Sequence, residues 1–410
     1  MPSRLAGLHR LHVGLIFVAC ACAREASTPP ITEFHLIPGP AGPQSGESSL
    51  AADATGTLHM TWLERLPDSS VALRYAQRSG ERWDSTRTIA VRRDLFVNWA
   101  DFPTVSSTAS GRVLVHWLQR STASKYSYDA HLVSSTDAGV SWSPPIRLHT
   151  DSSASEHGFV SFVPVADSAM AFWLDGRDTK GGEGHDHGAM QVRGASISRT
   201  GSLGPEMSVD ARTCDCCQTA AALSARGPVV AYRDRSDDEV RDIVVSRLNG
   251  DAWTPAVKVH DDHWQIDACP VNGPAIFASG DTVAVAWFTA ARDTAKVQLA
   301  VSTDAGATFG PPVRIDGGNP AGRVSLTPDG KGALIVAWVE RLTGENAEVR
   351  ARRVTFDGHA SSPTVITKSS AARASGFPRL ARAGTRLYAS WTQPGDTARV
   401  LVAVAELEQR

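Results

Sequence analysis

The chain of 410 residues predicts an all-β fold, a single β-propeller of four-stranded blades. Three observations carry that prediction. A short β-type run ending in an aromatic recurs seven times, at Trp62, Trp117, Trp173, Tyr232, Trp287, Trp338 and Trp391, with successive copies 51 to 59 residues apart. Around each copy lie three further β-branched or alternating runs, with Gly, Asp and Pro at the junctions and no sustained helical period. The last unit stops one strand short, at "RVLVAVAELEQR", while "ITEFHLIPG" near the start is a strand without a unit.

Each unit reads A, B, C, D, with the aromatic ending strand B. In the fifth, A lies near "GPAIFA", B is "TVAVAWF", C is "KVQLAVS" and D is "PPVRID". An open first or last blade would expose strand edges, so the ring must close. Residues 31–37 are expected to pair with residues 400–407 and supply the missing D strand. That gives seven blades in one domain over residues 31–410.

Ahead of the domain, Arg4 and Arg10 precede a short apolar run over residues 13–19, too short to span a bilayer. The run ends in "FVAC", which resembles the bacterial lipobox, whose cysteine becomes the lipid-modified first residue of the mature protein. Residues 1–22 therefore read as an export signal, with Cys20 the lipidation candidate and plain secretion after Ala23 the alternative. Residues 23–30 form a tether. The expected location is the bacterial cell envelope, periplasmic or outer surface, with the N-terminal lipid as the membrane contact and a monomeric chain. A net charge of −2 and the lack of any basic run argue against a nucleic-acid partner.

Two turns between strands C and D share one pattern. "SSTDAGVSW" holds Ser135, Asp137, Gly139 and Trp142; "VSTDAGATF" holds Ser302, Asp304, Gly306 and Phe309. Both fit S-x-D-x-G-x-x-[W/F], so the chain resembles the sialidase-like, Asp-box or BNR-repeat, propellers. The Asp accepts backbone N–H groups inside a tight turn, Gly takes a positive φ and the aromatic tucks between strands. The box is a folding device and does no chemistry. A six-bladed ring, usual in sialidases, is the alternative the resemblance implies. It also implies three arginines on a substrate carboxylate, a tyrosine nucleophile with its glutamate, and an aspartate acid/base. The chain lacks the family's F/Y-R-I-P motif, and only Tyr126 and Tyr128 read as tyrosines of ligand-face loops. Binding of a glycan, a small anionic ligand or an envelope protein is therefore the leading reading. A glycoside hydrolase of sialidase-like type is its rival.

The B–C and D–A loops share the face where propeller ligands bind. Arg65, Arg120, Arg177, Arg235, Arg292 and Arg341 each follow their strand-B aromatic by three to five residues, several with an acid beside them, including Glu64, Asp175, Asp234 and Glu340. Structural salt bridges are the first explanation, and an anion-binding ring the second. Trp99 and Asp101 in "NWADFP", and Trp264 and Asp267 in "DDHWQIDACP", lie in D–A loops of the same face and complete the candidate ligand surface.

The same face gathers the thiols. "ARTCDCCQTA" places Cys214, Cys216 and Cys217 in one D–A loop, and Cys269 lies in the next. Aligning the blades puts Cys217 and Cys269 at equivalent strand-A starts, where other blades have Phe102, Phe159 and Phe377. A glycine-rich B–C loop of the third blade, holding His185, His187 and Met190, is expected nearby. Disulfides come first, as Cys216–Cys269 with Cys214–Cys217 or Cys217–Cys269 with Cys214–Cys216. A copper or zinc site that includes the two histidines comes second, and a redox dithiol third. No cofactor is required for the fold.

Overall fold

A computed structural model describes residues 1–2, 28–124, 126–179 and 188–407. Among these residues the strands fall into seven antiparallel sheets, each built mainly from consecutive strands. Blade 1 is typical: Ser45–Ala52 innermost, then Leu58–Arg65, Val71–Ser79 and Arg87–Arg92. The seventh sheet is the exception in chain order. Its strands Arg379–Ala383, Arg386–Gln393 and Arg399–Glu406 take their fourth member from the other end of the chain, His35–Ile37. The register is His35 opposite Val404, Leu36 opposite Ala403 and Ile37 opposite Val402. The paired strand is shorter than the sequence suggests, because Ile31 and Phe34 ahead of it bury their side chains against blades 6 and 7 instead.

The strand-B aromatics explain why the sheets form a ring. All seven are 0–3 % exposed. Each packs onto the blade before it: Trp117 onto blade 1, Trp173 onto blade 2, Tyr232 onto blade 3, Trp287 onto blade 4, Trp338 onto blade 5, Trp391 onto blade 6, and Trp62 onto Tyr388, Val400 and Val402 of blade 7. One large ring per interface fills the wedge between twisted sheets, and burial of that area is the main cohesive term. In two blades an acid two residues further on satisfies the indole, since residues i and i+2 share a face of a strand. Trp173 Nε1 donates to Asp175 at 2.8 Å and Trp338 Nε1 to Glu340 at 2.6 Å.

Both Asp-boxes form as the motif requires, on the face opposite the D–A loops. Ser135 Oγ donates to Asp137 at 2.7 Å, the Gly139 N–H donates to Ser135 Oγ at 2.8 Å, and Ser141 N–H donates to Asp137 at 2.9 Å. Ser302, Asp304, Gly306 and Thr308 repeat these contacts. Hydrogen bonds from Ser141 and Ser135 hold the Asp137 carboxyl down at about 2. Gly139 has φ 81°, and a Cβ there would run into the Tyr75 ring. Trp142 meets that ring edge-on at 5.3 Å, while Phe309 packs between blades 4 and 5.

Candidate functional site

The innermost strands surround a central channel, with a cavity of about 280 Å3 lined by residues of all seven blades. On the D–A loop face its mouth is crossed by residues 97–102, which join blades 1 and 2. Gln218 of blade 4 donates Nε2 to the Ala100 carbonyl at 2.5 Å, and Trp99 and Phe102 both meet Phe377 of blade 7 at 5.7 Å between ring centroids. Three innermost strands begin at this mouth with a bulge, each carrying a left-handed residue: Glu47 (φ 52°), Phe159 (φ 54°) and Arg323 (φ 56°). Non-glycine residues held at positive φ cost free energy and concentrate at functional sites.

Trp99 is half-buried, with two guanidiniums over its ring, Arg323 at 4.9 Å and Arg373 at 5.9 Å. Arg323 is 5 % exposed, and its donors go to the carbonyls of Ala371, Ala372 and Gly376 and to Ser375 Oγ. Burial, then repulsion from Arg341 and Arg373, pushes it down to about 10. Among the described residues none of these three arginines joins an ion pair, and Arg341 and Arg373 are exposed. Three like charges thus converge with no carboxylate in ion-pair contact among the described residues. One blade round, Glu47 has a buried Oε2 with no hydrogen-bond partner among the described residues. Burial raises its carboxyl above the usual range, against the pull of Arg65.

The other candidates of this face are placed differently. Asp101 is 2 % exposed and accepts the Phe159 N–H at 2.8 Å. Burial, opposed by that hydrogen bond and helped by Glu156, pushes it up to about 8, so the carboxyl is neutral at pH 7. Asp175 is 0 % exposed; it holds Trp173 and takes a two-pronged pair from Arg177, which also reaches Glu206 at 2.7 Å. Arg235 is 5 % exposed between Glu239 and Asp215. Trp264 is 6 % exposed, its face on Arg233 at 4.8 Å and its edge toward Phe288, so no platform faces solvent there. Asp267 is exposed on its loop. Tyr128 belongs to a strand, Tyr128–Ser135, and is 2 % exposed. Of this set, Trp99 alone lies in the arginine cluster.

The thiols do converge. Cys214 Sγ lies 3.1 Å from Cys217 Sγ and 3.9 Å from Cys216 Sγ, and the half-buried Cys216 also contacts Cys269 of the next loop. No sulfur–sulfur bond joins any of the four in this structure. Burial pushes Cys214 up to about 11. Burial works against the Cys217 thiolate too, but hydrogen bonds from its two neighbours and the charge of Arg233 hold that thiol below its ordinary range. Strand register corrects the blade alignment: Ala220 and Ala275 are equivalent, each opposite the residue before its strand-B aromatic. Cys217 therefore corresponds to Asn272, and Cys269 to Cys214. His185 and His187, like Cys20, lie outside the described residues.

A second buried cluster, between blades 2 and 3, escaped the sequence reading because its members come from three separate segments. His149 and His157 stack at 3.5 Å with 4° between their planes, and Asp129 and Asp151 lie at 3.4 Å and 3.1 Å from their ring nitrogens. Imidazole lone pairs lie in the ring plane, so two face-to-face rings present poor geometry for one shared ion. The arrangement fits a network of charges buttressing the interface.

No protein-family model and no curated protein matches the chain. Solved structures do. The BP39L lectin from Burkholderia pseudomallei superposes with a TM-score of 0.60 at 13 % identity, over 88 % of this chain and 96 % of that one. A protein of unknown function from Dyadobacter fermentans gives 0.50 at 13 % identity, over 92 % and 99 % of the two chains. Trypanosoma rangeli sialidase, in complex with the inhibitor DANA, gives 0.49 at 12 % identity, over 78 % and 56 %. At these identities the likeness is one of fold.

Proposed function

We propose that the protein binds an anionic carbohydrate, one bearing carboxylate or sulfate groups, at the channel mouth beside Trp99. The observation that carries this reading is the cluster of Arg323, Arg341 and Arg373, three guanidiniums without a carboxylate partner among the described residues. Guanidinium forks suit planar oxyanions, and the Trp99 ring, stacked with Phe377, lies under Arg323 and Arg373 and helps to place them. Arg323 is fixed by its carbonyl partners and supplies field, whereas the exposed Arg341 and Arg373 can reach a ligand. That a lectin shares the fold is compatible with the reading.

The test is retention on immobilised polyuronate and sulfated glycan, against their neutral counterparts. Arg373→Ala should weaken binding roughly tenfold or more, since losing one charged hydrogen bond is worth about 1.5–3 kcal/mol. Trp99→Ala should weaken it too, because Arg323 and Arg373 lose the ring over which they lie. Binding should also fall with salt. Equal retention of neutral glycan, or unchanged binding by both variants, overturns the reading. A second reading, hydrolysis, rests on Glu47 of blade 1, whose buried Oε2 has no hydrogen-bond partner among the described residues and whose carboxyl burial raises, as a general acid requires. Sugar release that disappears in Glu47→Gln would select it.

We further propose that the domain is exported and tethered by lipid at Cys20, supported by the "FVAC" sequence. Cys20→Ser should then move the protein from the membrane to the soluble fraction. A variant that stays with membranes excludes the anchor.

A further inference from the structure

We propose that Cys214, Cys216 and Cys217 form a trithiolate pocket for a thiophilic closed-shell metal ion, Cu(I) or Zn(II), with Cys269 as an available fourth sulfur. Three sulfur atoms lie within 4.8 Å of one another, two of the three residues wholly buried. Three thiolates at about 2.3 Å from a central ion stand roughly 4 Å apart. The separation of 3.9 Å between Cys214 and Cys216 matches this, and that of 3.1 Å between Cys214 and Cys217 needs to open by less than an ångström.

Proximity alone does not separate metal from disulfides, because the contacts of Cys214 with Cys217 and of Cys216 with Cys269 could each become a bond. The surrounding charge does. Arg233 is 1 % exposed, and its guanidinium donates to the carbonyls of Asn272, Arg241 and Phe288, with no carboxylate partner among the described residues. It lies close enough to Cys214 and Cys217 to act on both electrostatically. Arg241, 0 % exposed, points Nη1 at Cys214 Sγ over 3.6 Å and gives its other donors to Glu239. A buried cation needs a counter-charge. Two neutral disulfides supply none. Arg241 already has Glu239 as a counter-charge, so Arg233 is the buried guanidinium left without one among the described residues. Three thiolates around a monovalent ion carry a net charge of −2, which supplies it, and both guanidiniums then stand as outer partners of the centre. Soft sulfur donors select Cu(I) and Zn(II) over hard cations, and each thiol releases its proton as it binds.

The centre lies on the same face as the arginine cluster yet uses none of its residues, so either assignment can fail alone. The test uses the full chain purified without reductant. Elemental analysis should find about one ion per chain. Thiol titration of the native protein should find the buried sulfurs unreactive until a chelator is added. The reduced, metal-free protein should take up either Zn(II) or Cu(I) in a one-to-one titration against a competing chelator. Cys216→Ser should cut that affinity by at least tenfold to a hundredfold, roughly the loss from disturbing even an outer partner. Cys269→Ser separates the sources: lost Zn(II) affinity marks a four-sulfur tetrahedral site, and intact Cu(I) affinity a three-sulfur one. If the denatured, unreduced protein shows no free thiol beyond those of Cys20 and Cys22 even with chelator, or if the reduced protein retains neither ion, the proposal falls. The wild-type thiol count decides this even if a variant fails to fold.

Discussion

A chain lacking residues 1–37 should lose cooperative folding at physiological temperature. The truncation removes the His35–Ile37 ladder from blade 7 and exposes the Arg399–Glu406 edge. It also removes Ile31, 4 % exposed, and Phe34, 8 % exposed, from the core between blades 6 and 7. Each such side chain is worth about 2–5 kcal/mol against a cavity, and whole-domain stability is only about 5–15 kcal/mol. The seam is therefore comparable with the total. Two point variants isolate the burial term. Phe34→Ala should cost about 3 kcal/mol. Leu36→Ala, at a side chain 67 % exposed, should cost under about 0.5 kcal/mol. Denaturant melts giving equal costs for the two would show that the seam does not hold the ring.

That seam was legible because a strand without a unit and a unit without a strand can be matched by counting. The strand-B aromatics were legible for a similar reason: a repeat that must bury one large ring per interface writes that ring at a fixed place. The Asp-box is local in sequence, so its turn could be drawn from nine residues. The site was harder. Trp99 was visible as an aromatic in a D–A loop, but Arg373 and Arg323 belong to blades 6 and 7 and meet it only because the ring closes behind blade 1. Arg323 also points where it does through a bulge at φ 56°, which no composition signal announces. Asp101, Asp175 and Arg235 read in sequence as ligand-face candidates, with structural salt bridges the first explanation for the arginines and the acids beside them. They are 0–5 % exposed because each satisfies a neighbour: the Phe159 N–H, the Trp173 indole, and the Glu239 and Asp215 carboxylates. Sequence shows that polar residues lie in a loop; it does not show which way the loop folds over the channel. The cysteine alignment slipped for a related reason. The loop before blade 5 runs several residues past Cys269 before its strand begins, and only hydrogen-bond register fixes that offset.

The contribution of Asp101 to stability should fall as pH rises from about 4 to about 8, and above about pH 6.5 it should set the trend of the whole domain. Its carboxyl sits in a dry pocket against the Phe159 N–H, and burial carries it to about 8, compared with about 3.9 in an unfolded chain. Below both values the group is protonated in folded and unfolded chains alike, and its contribution is fully present. Between them the unfolded chain releases a proton that the folded one keeps, so unfolding gains with each step upward. The slope approaches about 1.4 kcal/mol per pH unit for one such proton. Glu156, pushed to about 7 by burial and by Asp215, acts in the same direction over a narrower window. Asp137 acts oppositely: held at about 2, it favours the folded state above the ordinary carboxyl range and loses that contribution only as pH falls toward 2. Buried His116, pushed down to about 3 by desolvation, also acts oppositely, as do His59, His131 and His157, which burial holds below the usual imidazole range. Below about pH 6.5 the unfolded chain takes up protons that these folded imidazoles refuse, so the trends offset one another in acid and the net fall belongs to the limb above about pH 6.5. Asp101→Asn keeps an acceptor for Phe159 and a donor where the neutral acid has its O–H, but cannot ionise. The variant should exceed the parent by about 1.5 kcal/mol at pH 5 and by several kcal/mol at pH 8, with a flattened alkaline limb. Chemical denaturation at the two pH values is the measurement. A variant destabilised equally at both would mean that Asp101 is ionised in the folded protein, with its counter-charge beyond the contacts seen in its pocket.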